Sequence, residues 1–209
     1  MTDTSSDVED FYDTDSESTN VIVDIAVLEA AKENIQPLAK GRRVTSLASV
    51  LATPHAQRDV RLNATRAKHR ANIEAALEGD SAETPLEAYA RYVHWTIEHY
   101  PQGHSAESGI LELLEEATRV LKDEGEGRNK ADKKYLELWI LYAGYVDKPA
   151  LVYSFLLANE IGTAHARLYE EYAMMLERSG KYVIQLSLLF SPYSDAFISA
   201  KQRQTKSTF

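Results

Sequence analysis

The sequence predicts an all-α fold: an irregular array of antiparallel helix pairs behind a short helical lead-in and an acidic tail. Three observations predict it. Between residues 84 and 178, apolar residues recur three and four apart in successive stretches separated by Pro, Gly and Ser. No stretch sustains the alternation of a β-strand. Large aromatic residues also recur with small residues between them, near the ~34-residue period of stacked helix pairs. Trp95 to Trp139 spans 44 residues and Trp139 to Tyr169 spans 30, so the repeat is irregular.

Taken in order, residues 1–20 hold seven acids (Asp3, Asp7, Glu9, Asp10, Asp13, Asp15, Glu17) and no base. Without an apolar period they read as a disordered acidic tail. "VIVDIAVLEAAKEN" reads as a helix of two or three turns, too short to be stable without a surface to lie on. "IQPLAKGRR" breaks it, because Pro37 restricts Gln36 and Gly41 frees the backbone. "VTSLASVL" is a second short helix, and the Arg- and Ala-rich run from Pro54 ends near Gly79.

"TPLE" then signals a helix start, with Thr84 as cap, Pro85 in the first turn and Glu87 closing the box. Its stripe is Tyr89, Tyr92, Val93, Ile97 and Tyr100, ended by Pro101-Gln102-Gly103. Ile110, Leu113, Leu114, Ala117 and Leu121 make the next stripe, followed by a loop through Gly125 and Gly127. Tyr135, Leu138, Trp139, Tyr142 and Val146 make a third. Val152, Phe155, Leu156 and Asn159 make a fourth, entered through Pro149. His165, Leu168, Tyr169, Tyr172, Ala173 and Leu176 make a fifth, stopped by Ser179-Gly180, and a sixth helix is expected from Lys181. The boundaries expected are a tail over 1–20, a lead-in over 21–55, the helical domain over 56–183 and a C-terminal segment over 184–209.

The 209 residues carry no cysteine, which excludes disulfides, thiolate nucleophiles and zinc–thiolate sites. No apolar run reaches the ~20 residues of a membrane span, and the N-terminus lacks the pattern of a signal peptide. A soluble intracellular protein without a membrane partner is expected. The net charge of −9 argues against nucleic acid as a ligand. Residues 40–70 run against that balance, with eight bases (Lys40, Arg42, Arg43, Arg58, Arg61, Arg66, Lys68, Arg70) against Asp59. They read as a solvated helix face or as a surface for an acidic protein.

No catalytic constellation is present, so no enzyme, cofactor or metal is expected. Gly125-Glu126-Gly127 follows a helix instead of a strand, so it is no phosphate cradle. His94, His99 and His104 are five apart and do not converge on a helix face. Glu112, Glu115 and Glu116 fall on the outer face of their helix, where solvation explains them. Thr53-Pro54 and Ser191-Pro192 have the form of proline-directed phosphorylation sites. What is left is a protein-binding module.

"PLEAYARYVHWTIEHYPQG", "ILELLEEATRVL" and "YLELWILYAGYVDKPALVYSFLLANEIG" together resemble the N-terminal tetratricopeptide homology domain of the Bub and BubR/Mad spindle-checkpoint proteins. The resemblance runs over about residues 56–183, carried by Trp95-Thr96, Tyr100-Pro101-Gln102-Gly103, Leu138-Trp139 with Tyr142, and Asn159-Glu160-Ile161-Gly162. It implies a tetratricopeptide-like array and gives Lys32-Glu33-Asn34 a meaning. Ahead of such a domain, with Ile35, Pro37 and Leu38 after it, the tripeptide is similar to the KEN box of the BubR/Mad branch.

In that branch the segment binds, as a pseudosubstrate, the WD40-propeller activator of the anaphase-promoting complex. The resemblance further implies a Mad-type HORMA protein and a kinetochore scaffold or Bub-family protein as partners, and residence in nucleus, kinetochore and cytoplasm. The site residues it implies are Lys32, Glu33, Asn34, Ile35, Pro37 and Leu38, in a helix–KEN–helix segment that orders on the partner. After Tyr182 the chain departs from the family pattern: "VIQLSLLFSPYSDAFISAKQRQTKSTF" stands where an Ala- and Asp-rich helix is expected, so the usual continuation is expected to be missing. The competing expectation is a general helical-repeat scaffold, for instance in RNA processing, with an incidental KEN or a plain degron.

Overall fold

The computed structural model describes residues 24–38, 41–53 and 55–180. The acidic tail over 1–20, the segment over 184–209 and the helix expected from Lys181 lie outside them, as does Ser191-Pro192. The described residues form eight α-helices and no strand: α1 Ile25–Ala31, α2 Val44–Ala52, α3 His55–Glu78, α4 Pro85–His99, α5 Ile110–Asp123, α6 Lys133–Tyr145, α7 Pro149–Ala158 and α8 Ala166–Arg178. None of these helices is long and apolar enough to cross a membrane.

From α3 onward each helix packs on the next, and α4 with α6 and α6 with α8 also touch. The alternate helices α4, α6 and α8 therefore stack, the arrangement of a helix-pair array. The predicted stripes face inward. Val93, Leu114, Ala117, Leu121, Tyr135, Leu156, Leu168, Tyr169, Ala173 and Leu176 are wholly buried. Burying each leucine contributes about 1.5–3 kcal/mol. The two wholly buried tyrosines of this set keep their hydroxyls bonded: Tyr135 donates to Thr118 O at 2.9 Å and Tyr169 to Thr163 O at 2.9 Å.

Local chemistry sets the helix ends. Thr84 Oγ1 accepts from the Glu87 N–H at 3.3 Å while the Glu87 carboxylate accepts from the Thr84 N–H, and Pro85 follows, so α4 opens on the box read from "TPLE". Asp132 caps α6 by accepting from the Lys134 N–H at 2.7 Å. The stretch read as a loop through Gly125 and Gly127 is instead a 3-10 helix, Glu124–Ala131. Asn129 explains the difference. Its buried amide donates to Leu121 O at 3.0 Å, at the end of α5, and to the Glu124 carboxylate at 2.7 Å, winding the segment onto the helix it follows.

Candidate partner-binding site

The lead-in begins where Asp24 Oδ1 accepts from the Ala26 N–H at 2.9 Å, capping α1. Lys32–Asn34 then tighten into one 3-10 turn, and Ile35 leaves it extended, its N–H on Lys32 O at 3.4 Å. Lys32, Glu33 and Asn34 are all exposed. None of their side chains makes a hydrogen bond or ion pair with another described residue. An ammonium, a carboxylate and an amide thus stand together on one turn, their bonding capacity not taken up by any other described residue.

The residues after the turn are seated. Ile35 and Leu38 are half-buried, Leu38 against the core, and Pro37 is exposed. The Gln36 N–H donates to Pro101 O at 2.8 Å, and Tyr145 Oη donates to Gln36 Oε1 at 3.3 Å. The Gln36 side chain lies over Gly103 (φ 79°), where a Cβ would come within 2.0 Å of Oε1. Arg42 returns from the far limb and donates to Gln36 O at 3.0 Å, Ile97 O at 2.7 Å and Pro101 O at 3.3 Å. Burial pushes its pKa below the ordinary arginine value, partly opposed by Tyr145 and Glu98. Arg43 pairs with Glu98 at 2.9 Å. The expected site therefore divides: Lys32, Glu33 and Asn34 project, Ile35 is half-buried, and Leu38 packs against the core. The limb after the turn lies against the end of α4.

The basic stretch differs in part from its reading. Besides Arg42 and Arg43, Arg70 bonds both Glu116 oxygens at 2.6 Å and lies 5.5 Å from the Tyr92 ring. Arg66 bonds the carbonyls of Glu107 and Ser108 and lies 4.9 Å from the Tyr100 ring. These four arginines bond the carbonyls, carboxylates and rings of the domain, while Arg61 and Lys68 are exposed, as a solvated helix face predicts. Glu116, read as a solvated outer-face residue, is half-buried and also accepts from Tyr89 Oη at 2.9 Å. His99 is stacked on Trp95, ring centroids 4.9 Å apart, and burial lowers its pKa.

Sequence reasoning missed Gln36, Arg42, Gly103 and Tyr145 as parts of this site. Tyr100-Pro101-Gln102-Gly103 was legible as a specific motif. What it receives, Gln36 and Arg42 from far upstream in the chain, was not.

A family model described as Mad3/BUB1 homology region 1 matches residues 65–190. The chain belongs to the Mad3/BUB1 family. Among curated relatives, the mitotic spindle checkpoint component mad3 of Schizosaccharomyces pombe is 35% identical over 164 residues, covering 77% of this chain and 50% of that protein. The mitotic checkpoint serine/threonine-protein kinase BUB1 beta of Mus musculus is 36% identical over 145 residues, 69% of this chain but only 13% of that protein. The chain thus spans half or less of the length of these Mad3/BUB1 relatives. A chain in a crystal structure of a mitotic checkpoint complex superposes with a TM-score of 0.71 at 30% identity, over 87% of this chain and 96% of that one. The family and the all-α, tetratricopeptide-like fold expected from the sequence both hold.

Proposed function

We propose that this chain is a non-enzymatic component of the mitotic spindle checkpoint that occupies the WD40-propeller activator of the anaphase-promoting complex as a pseudosubstrate. The observation that carries the proposal is the Lys32–Asn34 turn, exposed, bonded through its side chains to no other described residue, and joined to the edge of a Mad3/BUB1 domain. The turn offers the activator three donors on the ammonium, two acceptor oxygens on the carboxylate and both kinds of group on the amide. Charge-assisted bonds of this kind are the strong ones at a polar, shallow surface. Pro37 narrows the unbound ensemble and so lowers the ordering cost. The relatives' names, a checkpoint component and a checkpoint kinase, support the same setting.

In this reading the chain joins an inhibitory complex with the activator and a Mad-type HORMA protein. The helical array serves as scaffold and docks on a kinetochore scaffold or Bub-family protein, in nucleus, kinetochore and cytoplasm. Changing Lys32, Glu33 and Asn34 to Ala should abolish capture of the purified activator and abolish arrest under spindle poison. Undiminished capture by the triple variant would overturn the proposal.

A further inference from the structure

We propose that Arg42 is the positioning residue for the Lys32–Asn34 turn, and that affinity for the activator depends on the clamp Arg42 makes with the end of α4. The inference rests on the function proposed above and adds to it a second set of residues.

The Arg42 guanidinium spans three carbonyls: Gln36 O, on the limb leaving the turn, Ile97 O, in the last turn of α4, and Pro101 O, just beyond it. Carbonyls at a helix C-terminus lack helical donors and carry the negative end of the dipole, so a cation there is favoured twice. A planar fork of N–H groups can meet three acceptors in different directions, which a lysine ammonium on its flexible stem does poorly. The same limb is closed from the other side by the Gln36 N–H on Pro101 O and by Tyr145 Oη on Gln36 Oε1. Asn34 lies two residues from Gln36, so the end of the turn nearest this anchor is held within about 7 Å of it, and Lys32 within about 14 Å.

The activator then meets a turn already in place. When a binding-competent arrangement is only partly populated, apparent affinity falls by that fraction, so loosening the clamp weakens binding without touching a contact residue.

The test uses the full chain, purified activator and amide hydrogen exchange. Arg42→Ala should speed exchange at the Gln36 amide by more than it speeds exchange at the Leu114 and Tyr135 amides, and weaken activator binding roughly tenfold. Arg42→Lys should restore binding only in part. Tyr145→Phe, which removes one hydroxyl and keeps the ring, should shift both readouts in the same direction by less. If the triple variant fails to bind while Arg42→Ala binds as tightly as the parent chain, the clamp is overturned and the function stands. If the triple variant itself binds, both are overturned.

Discussion

Gly103 and Glu160 share a left-handed backbone and should respond to substitution with opposite signs. Gly103 has φ 79° and packs beneath Gln36, so a Cβ meets the amide oxygen at 2.0 Å. Gly103→Ala therefore adds about 1–2 kcal/mol of backbone strain, and it also displaces Gln36. Glu160 has φ 58°, the one positive value among the described non-glycine residues, and is exposed. Glu160→Gly relieves its strain while making the unfolded chain freer, a net gain of about 0.5–1 kcal/mol. At about 2–4 °C per kcal/mol for a chain of this size, melting curves should move down for the first and up for the second. Two shifts of the same sign would contradict this reading of the backbone.

Of the helices, α3 shows most clearly what the sequence could and could not disclose. Its extent was legible from helix formers and from Gly79, but it has no strong apolar stripe to say what holds it. Arg70 on α3 reaches Glu116 on α5, and Tyr89 on α4 donates to the same carboxylate, so one acid joins three helices. Burial alone would raise the Glu116 pKa; the bonds from Arg70 and Tyr89 outweigh it and hold the group below its ordinary value. A carboxylate depressed in the folded state adds stability that is present above its unfolded pKa of about 4.5 and is lost as pH falls through the lower folded value. Urea unfolding should show stability declining below about pH 4.5, and Glu116→Gln should flatten part of that decline. An unchanged slope in Glu116→Gln would place the acid sensitivity elsewhere. By contrast α4, α5 and α8 were readable from their stripes, because burial on one helix face leaves a local period. Partners such as Arg70 and Glu116, 46 residues apart, leave none.

Over the chain as a whole, the projecting half of the candidate site was legible and its seat was not. Lys32, Glu33 and Asn34 stood out as a tripeptide; the seat is built from Ile97, Pro101, Gly103 and Tyr145, which come together only when α4 and α6 pack. The lead-in and the array therefore behave as one unit, and stability should separate their roles. Deleting residues 24–53 removes Leu38 from the core edge, strips Arg42 from the carbonyls of Ile97 and Pro101, and leaves Glu98 without Arg43. The lost burial and hydrogen bonds amount to about 2 kcal/mol or more, which lowers Tm by about 4–8 °C. Changing Lys32, Glu33 and Asn34 to Ala touches only exposed side chains and should leave stability within about 0.5 kcal/mol. Calorimetry on the two variants decides the matter: a deletion that melts with the parent chain would mean the lead-in lends the array nothing. A triple variant that melts well below the parent would mean the turn is structural, because a recognition turn whose groups are kept for a partner should cost the free protein almost nothing to lose.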